Sequence, residues 1–223
     1  MTAPGLHVTP LPPALRTGLP GRFVVFDGPD GSGKSTQFRR FSEMCRAGGV
    51  TVTEVREPGG TAIGEKIREI LLDPIHAEMA MNCEMLLYMA SRAQLMQERI
   101  LPALAAGHLV LGDRFTSSTL AYQGAAGGLP IDGILAVGKV ATENHQPDLT
   151  VIFDVDETVA ARRLSANLDR IEQRPAEFHR KVRGGFLQQA KDFPARYAVI
   201  DASREPEAVF TELLATVTVR LGR

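Results

Sequence analysis

Short apolar runs alternate with longer amphipathic segments along this chain of 223 residues. The runs are rich in Val, Ile, Leu and Phe, and those at 23–26 and 151–153 contain no polar residue. Such continuous runs are typical of parallel strands that are buried on both faces of a sheet. The pattern predicts five strands, at 22–27, 50–55, 108–113, 149–155 and 197–201.

The segments that follow the strands have the spacing of helices. Strands and helices in alternation predict an α/β fold, in which a parallel sheet is wrapped by helices. Ligands of such folds bind beyond the carboxyl ends of the strands. The predicted helices cover 34–47, 62–72, 78–106, 116–125, 131–143, 156–168, 175–191 and 205–221.

The charge balance argues against a polyanionic or membrane partner. Lys and Arg number 25 and Asp and Glu 26, so the net charge is -1 and no global basic field exists to attract nucleic acid. No apolar run approaches the roughly 20 residues that span a bilayer. We therefore expect small-molecule partners, with neither nucleic acid nor a membrane among them.

The start of the chain differs in composition from the rest. Residues 1–21 are rich in proline and glycine, which predicts a flexible tail before a single domain at 22–223.

Cys45 and Cys83 lie in predicted helices without the spacing of metal ligands. Reduced, packed thiols and a cytoplasmic location are the expectation.

The most specific motif is "GPDGSGKS" at 28–35, which follows a strand and opens a helix. Its glycines let backbone N–H groups turn towards phosphate oxygens, and the start of the helix adds its positive dipole end. Lys34 then supplies a charge for the β- and γ-phosphates of a nucleotide, and Ser35 a hydroxyl ligand for Mg²⁺. The motif predicts a nucleotide phosphate site.

Asp30 places a carboxylate inside this phosphate loop. Such a group is useful there if it holds Mg²⁺ or its water, or if it faces an arginine. The alternative is an aspartate that favours the turn before Gly31.

Two further strand ends predict a second anion site. "REPGGT" at 56–61 places Arg56 at the end of a strand, and Thr61 is positioned to cap the next helix. "DRF" at 113–115 ends another strand, where Asp113 resembles the acid that orients magnesium-bound water. Arg114 beside it would lie between donor and acceptor phosphates. Either arginine alone is equally consistent with a surface ion pair.

Two helices offer side chains for a nucleobase. Tyr88 and Arg92 are four residues apart and so share a helix face, where they could stack on and bond a base. A solvent-exposed cation–π pair is the alternative. Thr119 and Gln123 have the same spacing in the next helix, while Met81, Met85 and Met89 predict a core-facing stripe.

Basic residues concentrate in the segment 161–186, which follows the fourth predicted strand. A solvated basic face is the ordinary interpretation. Arginines on a segment that closes over bound nucleotide would instead stabilise the transferred phosphoryl group and exclude water. These basic residues are Arg162, Arg163, Arg170, Arg174, Arg180, Lys181 and Arg183.

Taken together, the motifs resemble those of the thymidylate kinases, P-loop nucleoside monophosphate kinases that phosphorylate dTMP. The resemblance covers about residues 22–221. It implies a three-layer α/β/α fold with a five-stranded sheet of order 2-3-1-4-5, a helical lid at about 160–175, Mg²⁺ with ATP, and a homodimer. The matching segments are "FDGPDGSGKST", "REPGGT", "LLYMASRAQ", "DRFTSSTLAYQG", "PDLTVIFDV" and "LDRIE".

The resemblance also implies roles for individual residues. The ATP phosphate site would comprise Gly28, Pro29, Asp30, Gly31, Ser32, Gly33, Lys34, Ser35 and Thr36. The dTMP site would comprise Arg56, Pro58, Tyr88, Arg92, Arg114, Thr119, Tyr122 and Gln123, with Tyr122 under the deoxyribose. The catalytic groups would be Asp30, Lys34, Arg114, Arg163 and Arg170, and Mg²⁺ would be held by Ser35, Asp30 and Asp113, in part through water.

Two departures bear on the catalytic charge. Some thymidylate kinases have an arginine at the position of Gly31, so this chain resembles the bacterial type, whose lid supplies the arginines. Related lids commonly have Arg-Gly where Ser165-Ala166 stands. A kinase for another nucleotide or nucleoside, a nucleotide-dependent switch, and nucleic-acid binding through the basic segment are the competing functions.

Overall fold

The computed structural model describes residues 10–163 and 168–222. At its centre is a sheet of five parallel strands: β1 Phe23–Asp27, β2 Val52–Arg56, β3 Leu109–Asp113, β4 Leu149–Asp154 and β5 Tyr197–Asp201. Their order is β2-β3-β1-β4-β5. All five predicted strands, their parallel arrangement and the order 2-3-1-4-5 are confirmed.

The described helices lie on both sides of this sheet. They are α1 Pro13–Gly18, α2 Lys34–Ala47, α3 Ala62–Leu72, α4 Met81–Leu95, α5 Leu101–Ala105, α6 Thr116–Thr119, α7 Ile131–Thr142, α8 Glu157–Arg163, α9 Ala176–Asp192 and α10 Pro206–Leu221. Three shorter turns accompany them, a 3₁₀ turn at Pro74–His76 and π-helical turns at Met96–Ile100 and Leu120–Ala126.

Two predicted helices are not continuous α-helices. The predicted helix 78–106 is divided into α4, the π turn at Met96–Ile100 and α5. Pro102 accounts for the division, because proline has no N–H to donate four residues back along a helix. The predicted helix 116–125 is α6 followed by the second π turn. Of the predicted helix 156–168, α8 is described to Arg163, and 164–167 lie outside the described residues.

Hydrophobic cores flank both faces of the sheet, because successive side chains of a strand point to opposite sides. Val24 and Phe26 of β1 pack with α1, α2 and α10 on one face. Phe23 and Val25 pack on the other face with residues of α4 and its π turn. Of the methionine stripe, Met85 and Met89 are buried against α7, as predicted for a core-facing stripe.

The prediction of a flexible tail is wrong for residues 10–21. The short helix α1 packs against α10, and Leu11, Leu15 and Leu19 are buried in the first of these cores. Proline at the first turn of α1 fits because the N–H groups there have no helical partner. The proline-rich composition therefore hid an apolar stripe of period four. Residues 1–9 lie outside the described part of the chain.

The strand register brings the polar strand ends to one edge of the sheet. Phe26 of β1 and Arg56 of β2 both lie opposite Asp113 of β3, and Asp27 lies opposite Ile152 of β4. None of the described helices is long and apolar enough to cross a membrane. Cys45 is buried and its pKa is raised to about 12 by burial, whereas Cys83 is exposed, so the expectation of a packed thiol is wrong there.

Candidate active site

The loop between β1 and α2 has the tight conformation that its glycines allow. Gly28, Gly31 and Gly33 have φ values of 138°, 75° and 79°. A side chain at Gly28 would begin 2.5 Å from the Phe153 carbonyl oxygen, and one at Gly31 would begin 2.3 Å from that of Ala160. Strand β4 and helix α8 therefore press directly against the loop, and larger residues do not fit.

Lys34 connects this loop to the end of β3. Its side chain is buried, and its ammonium group bonds and pairs with Oδ1 of Asp113. Ser35 and Thr36 follow in the first turn of α2 and are exposed. The structure thus brings the phosphate loop and the strand end at Asp113 together.

The residues predicted to hold Mg²⁺ differ in how well they fit that ion. Ser35 and Asp113 supply hard oxygen donors, and Oδ2 of Asp113 has no hydrogen bond within residues 10–163 and 168–222. Mg²⁺ commonly takes only one or two protein ligands and completes its shell with phosphates and water. Ser35 and Asp113 therefore fit the ion.

Asp30 instead faces an arginine, one of the alternatives its position raised. Its Oδ1 accepts a hydrogen bond from Arg114, and its Oδ2 accepts one of 2.7 Å from the Tyr122 hydroxyl. Burial alone would raise the pKa of Asp30, but Arg114, Tyr122 and Lys34 together lower it. Both carboxylate oxygens are engaged, so Asp30 organises Arg114 and is not free to bind a metal ion directly in this arrangement.

Arg114 is held from several sides at the carboxyl end of β3. Its Nη1 donates to Asp27 at 3.2 Å, to the Gly28 carbonyl at 3.0 Å and to Ser118 at 2.9 Å. Its backbone has a φ of 70°, a left-handed conformation that costs about 1–2 kcal/mol for a residue with a side chain. Burial alone would lower the pKa of Arg114, but Asp30, Tyr122 and the neighbouring aspartates raise it well above its ordinary value.

Asp27 is a site residue to which the motif analysis assigned no role. It is fully buried at the end of β1, and its carboxylate accepts from the Gly28 N–H at 2.9 Å. It also accepts from the hydroxyls of Ser117 at 2.5 Å and Ser118 at 2.7 Å. Asp27 thereby fixes the start of α6 against the phosphate loop. Its polar position at a strand end was the available signal.

A cavity lies beside Asp30 and contains most of the residues predicted to bind dTMP. Pro58, Tyr88, Arg114, Thr119, Tyr122 and Gln123 all line it. Tyr122 packs edge-on against Phe178 and Phe186, and burial raises its pKa well above the ordinary value. The remaining lining residues are Glu57, Arg68, Leu72, Ser118, Asp169 and Ile171, none of which the motifs singled out for the site.

Arg92 lies behind this wall and not in it. Its Nε and Nη2 bond the Glu57 carboxylate, with 2.6 Å from Nη2 to Oε2, and Nη2 also donates to Thr119 at 3.1 Å. Its guanidinium stacks on Phe115, 5.0 Å from the ring centre, and only 1% of Arg92 is exposed. The alternative of a solvent-exposed Tyr88–Arg92 pair is therefore wrong. Burial raises the pKa of Glu57, although Arg92 opposes the rise.

Arg56 does not line the cavity in this arrangement. Its side chain is half exposed and pairs with Glu65 at 2.7 Å. Thr61 caps α3 as predicted, with its hydroxyl oxygen accepting from the Gly64 N–H at 2.9 Å. Arg56 thus lies at the predicted strand end, but the structure does not bring it to Arg114.

The lid arginines are mostly bonded to acidic side chains. Arg170 is buried; its Nη1 lies 2.7 Å from Oε2 of Glu84 and its Nε donates to the Leu71 carbonyl at 2.7 Å. It does not line the cavity beside Asp30. The structure therefore places Arg170 in an anchor of the lid base and away from the phosphate loop.

Arg163 lies beside the phosphate loop. Its Nη1 would lie 3.9 Å from a Cβ at Gly33, and it donates to the Ala202 carbonyl at 3.0 Å. It lines a second cavity with Ser32, Gly33 and Thr36. Ser165 and Ala166 lie outside the described residues. The other described pairs of the basic segment are Arg174–Glu84, Arg180–Glu157, Lys181–Glu177, Arg183–Asp154, Arg183–Asp156 and Arg183–Glu157.

Comparison with known proteins agrees with this geometry. A sequence profile described as thymidylate kinase matches residues 26–213. The chain is 44% identical over 203 residues to a thymidylate kinase of Geobacillus sp. (strain WCH70), covering 89% of this chain and 97% of that protein. It is 46% identical over 199 residues to a thymidylate kinase of Pelotomaculum thermopropionicum, covering 88% and 92%.

A solved structure gives the same result. The crystal structure of a thymidylate kinase from Ehrlichia chaffeensis superposes with a TM-score of 0.74 at 31% identity, covering 89% of this chain and 99% of that one. The similarity to thymidylate kinases covers most of the chain, and the sheet order and the phosphate loop of this structure agree with it. The chain belongs to the thymidylate kinase family.

Proposed function

We propose that this protein transfers the γ-phosphoryl group of ATP to the phosphate of dTMP, giving ADP and dTDP as a step towards dTTP. The observation that carries the proposal is the position of Arg114. It contacts the phosphate loop at Gly28 and Asp30, and it lines the cavity that contains Tyr88 and Gln123. One guanidinium thus borders both a donor site and an acceptor site.

The chemistry asks for positioning and charge neutralisation. The acceptor phosphate is already an oxyanion at neutral pH, so transfer needs no strong general base. The P–O bond between the γ-phosphorus and its bridging oxygen breaks while an oxygen of dTMP bonds to the same phosphorus. Lys34 and the N–H groups of the loop hold the donor phosphates, and Arg114 holds the acceptor phosphate beside them. When bound with ATP at Ser35 and Asp113, Mg²⁺ supplies further positive charge to the phosphates.

The other assignments are part of this proposal. Tyr88, Thr119 and Gln123 contact the base, Tyr122 and Pro58 the sugar side, and Arg56 moves to the acceptor phosphate on binding. Arg92 acts on the base through Thr119. Arg163, beside Gly33, is the lid arginine for the transferred group, whereas Arg170, predicted for the same role, bonds Glu84 and the Leu71 carbonyl and acts as an anchor of the lid base.

We also propose a homodimer in the cytoplasm. Helix α4 packs against both α3 and α7, and all three helices carry exposed apolar side chains. These side chains support a protein partner on the surface that the three helices form. The two free cysteines support a reducing compartment. Light scattering coupled to gel filtration measures the oligomeric state, and a monomer at micromolar concentration would contradict the dimer.

An acceptor panel tests the function. The purified chain is assayed with ATP, Mg²⁺ and dTMP, dUMP, dCMP, dGMP or thymidine, and dTMP is expected to be the best acceptor. Arg114→Ala should lower kcat by at least about 100-fold, since it removes the positive charge that lies next to the transferred phosphoryl group. Arg196→Ala is the matched control, because it makes the same change at an exposed arginine that lines neither the cavity beside Asp30 nor the one beside Gly33. Slow ATP hydrolysis that dTMP does not affect would favour a nucleotide-dependent switch instead.

A further inference from the structure

Glu84 is a fully buried carboxylate at the back of the cavity wall. It lies in the first turn of α4 with none of its surface exposed. Its Oε2 lies 2.7 Å from both Arg170 and Arg174, and its Oε1 accepts a hydrogen bond of 2.8 Å from Nε2 of Gln123. The two arginines therefore occupy one carboxylate oxygen and leave the other for Gln123.

This bond fixes which end of the Gln123 amide faces the cavity. A carboxylate only accepts hydrogen bonds, so the group that Gln123 turns towards Glu84 has to be its NH₂. Its Oε1 has no hydrogen-bond partner in the described part of the chain, and Gln123 lines the cavity. The wall therefore presents an acceptor to a bound base at this position.

Thr119, four residues earlier, has the opposite polarity. Its hydroxyl oxygen accepts from Arg92, whose own position is fixed by Glu57. A hydroxyl that accepts one bond keeps its proton for another partner. Thr119 therefore presents a donor to the cavity next to the acceptor of Gln123.

We propose that Glu84 is a positioning residue for base specificity. It sets the orientation of the Gln123 amide, so that the cavity wall accepts a hydrogen bond from a ring N–H of the base and donates one to the neighbouring carbonyl of the base. Thymine and uracil have this edge, with N3–H next to a carbonyl oxygen. With its C4 side towards Thr119, cytosine instead offers a ring nitrogen that accepts and an amino group that donates, so it meets like groups at both positions. This inference rests on the proposed use of a nucleoside monophosphate as acceptor, and it assigns the pyrimidine discrimination to a residue that does not line the cavity.

Two substitutions at Glu84 test it. Glu84→Gln keeps the shape but lets the Gln123 amide rotate, because a neutral amide can donate as well as accept. Glu84→Asp keeps the charge opposite Arg170 and Arg174 and withdraws the carboxylate from Gln123 by one methylene, so it covers the case in which the first variant does not fold. Arg174→Gln is the matched control, since it removes one partner of Oε2 and leaves the contact to Gln123.

Steady-state kinetics with dTMP, dUMP and dCMP give the readout. We expect either Glu84 variant to lower the ratio of kcat/KM for dTMP over dCMP by about tenfold or more, because a wall built to bond one edge rejects the other by leaving buried polar groups unpaired. The change should lie in KM, with kcat at saturating dTMP close to that of the parent protein. Arg174→Gln should change the ratio by no more than about twofold.

Two outcomes overturn the inference. A folded Glu84 variant with the parent's discrimination means that Glu84 does not set the polarity. An equal loss of discrimination in Arg174→Gln means that the effect follows from lost packing at the lid base. Both differ from failure of the proposed function, in which the parent protein itself does not prefer dTMP.

Discussion

Arg92 and Glu57 form a buried ion pair in which Nε and Nη2 of the guanidinium both bond the carboxylate, with 2.6 Å between Nη2 and Oε2. The two residues come from α4 and from the loop after β2, and their side chains are 1% and 5% exposed. The pair joins the two sides of the cavity wall behind Thr119.

Removing Arg92 should be costly for stability. Arg92→Met leaves the Glu57 carboxylate buried without its partner, and the free energy of unfolding should fall by about 3–5 kcal/mol. Urea denaturation measures the loss. Arg46→Met is the control, because Arg46 pairs with Glu54 at 2.8 Å but both side chains are nearly half exposed. That loss should stay below about 1 kcal/mol, and equal losses would contradict the buried pair's structural role.

Asp30 should give stability that depends on pH. Arg114, Tyr122 and Lys34 hold its folded pKa below the ordinary value of 3.8. As the pH falls, the unfolded chain therefore takes up the proton first. The contribution of Asp30 is present above 3.8 and is lost as the pH falls through the lower folded pKa.

Comparison with Asp30→Asn isolates this contribution. The difference in unfolding free energy between the parent protein and the variant should be largest near about pH 7 and should shrink below about pH 3.5. Urea titrations across this range measure it. A difference that stays constant over the whole range would show that the ionised carboxylate is not the stabilising form.

The sequence was sufficient for the parts of the fold that local pattern controls. The strands β1 to β5 were predictable because they are apolar runs, and the phosphate loop because its motif has a fixed spacing. The start of α3 was predictable because Thr61 is a residue that commonly caps helices. Thr119 and Gln123 both line the cavity beside Asp30, so residues four apart still lie on one side where the α-helix passes into the π turn.

Residues that act across long separations could not be predicted in this way. Glu57 and Arg92 are 35 positions apart, and Glu84 meets Arg170 and Gln123 only after folding. A pattern that shows Arg92 on one helix face with Tyr88 does not show which carboxylate takes its guanidinium. The composition also led to a wrong prediction at α1. The prolines around this helix indicated a flexible tail, although its leucines are buried in the core.

The contact between the phosphate loop and α8 gives a further prediction. Gly31→Ala should lower kcat/KM for ATP by about 10- to 100-fold, because the new Cβ would begin 2.3 Å from the Ala160 carbonyl oxygen and must displace the loop or α8. Gly49→Ala is a matched control, with a φ of 87° against 75° and no atom within 4 Å of the added Cβ. It carries the same backbone strain and should leave the kinetics unchanged. If both variants lose activity equally, backbone strain and not the contact with α8 is responsible.

Helix α1 should be part of the cooperative fold. Leu15 is fully buried with Leu19 between α2, α10 and the sheet, so Leu15→Ala removes apolar contacts and leaves a cavity. The expected loss is about 2–5 kcal/mol in the free energy of unfolding, measured by urea denaturation. Arg16→Ala, at the exposed neighbouring position of the same helix, should change it by less than about 0.5 kcal/mol. A flexible segment would instead give two equally small effects, because a side chain that is already in water loses no packing when it is shortened.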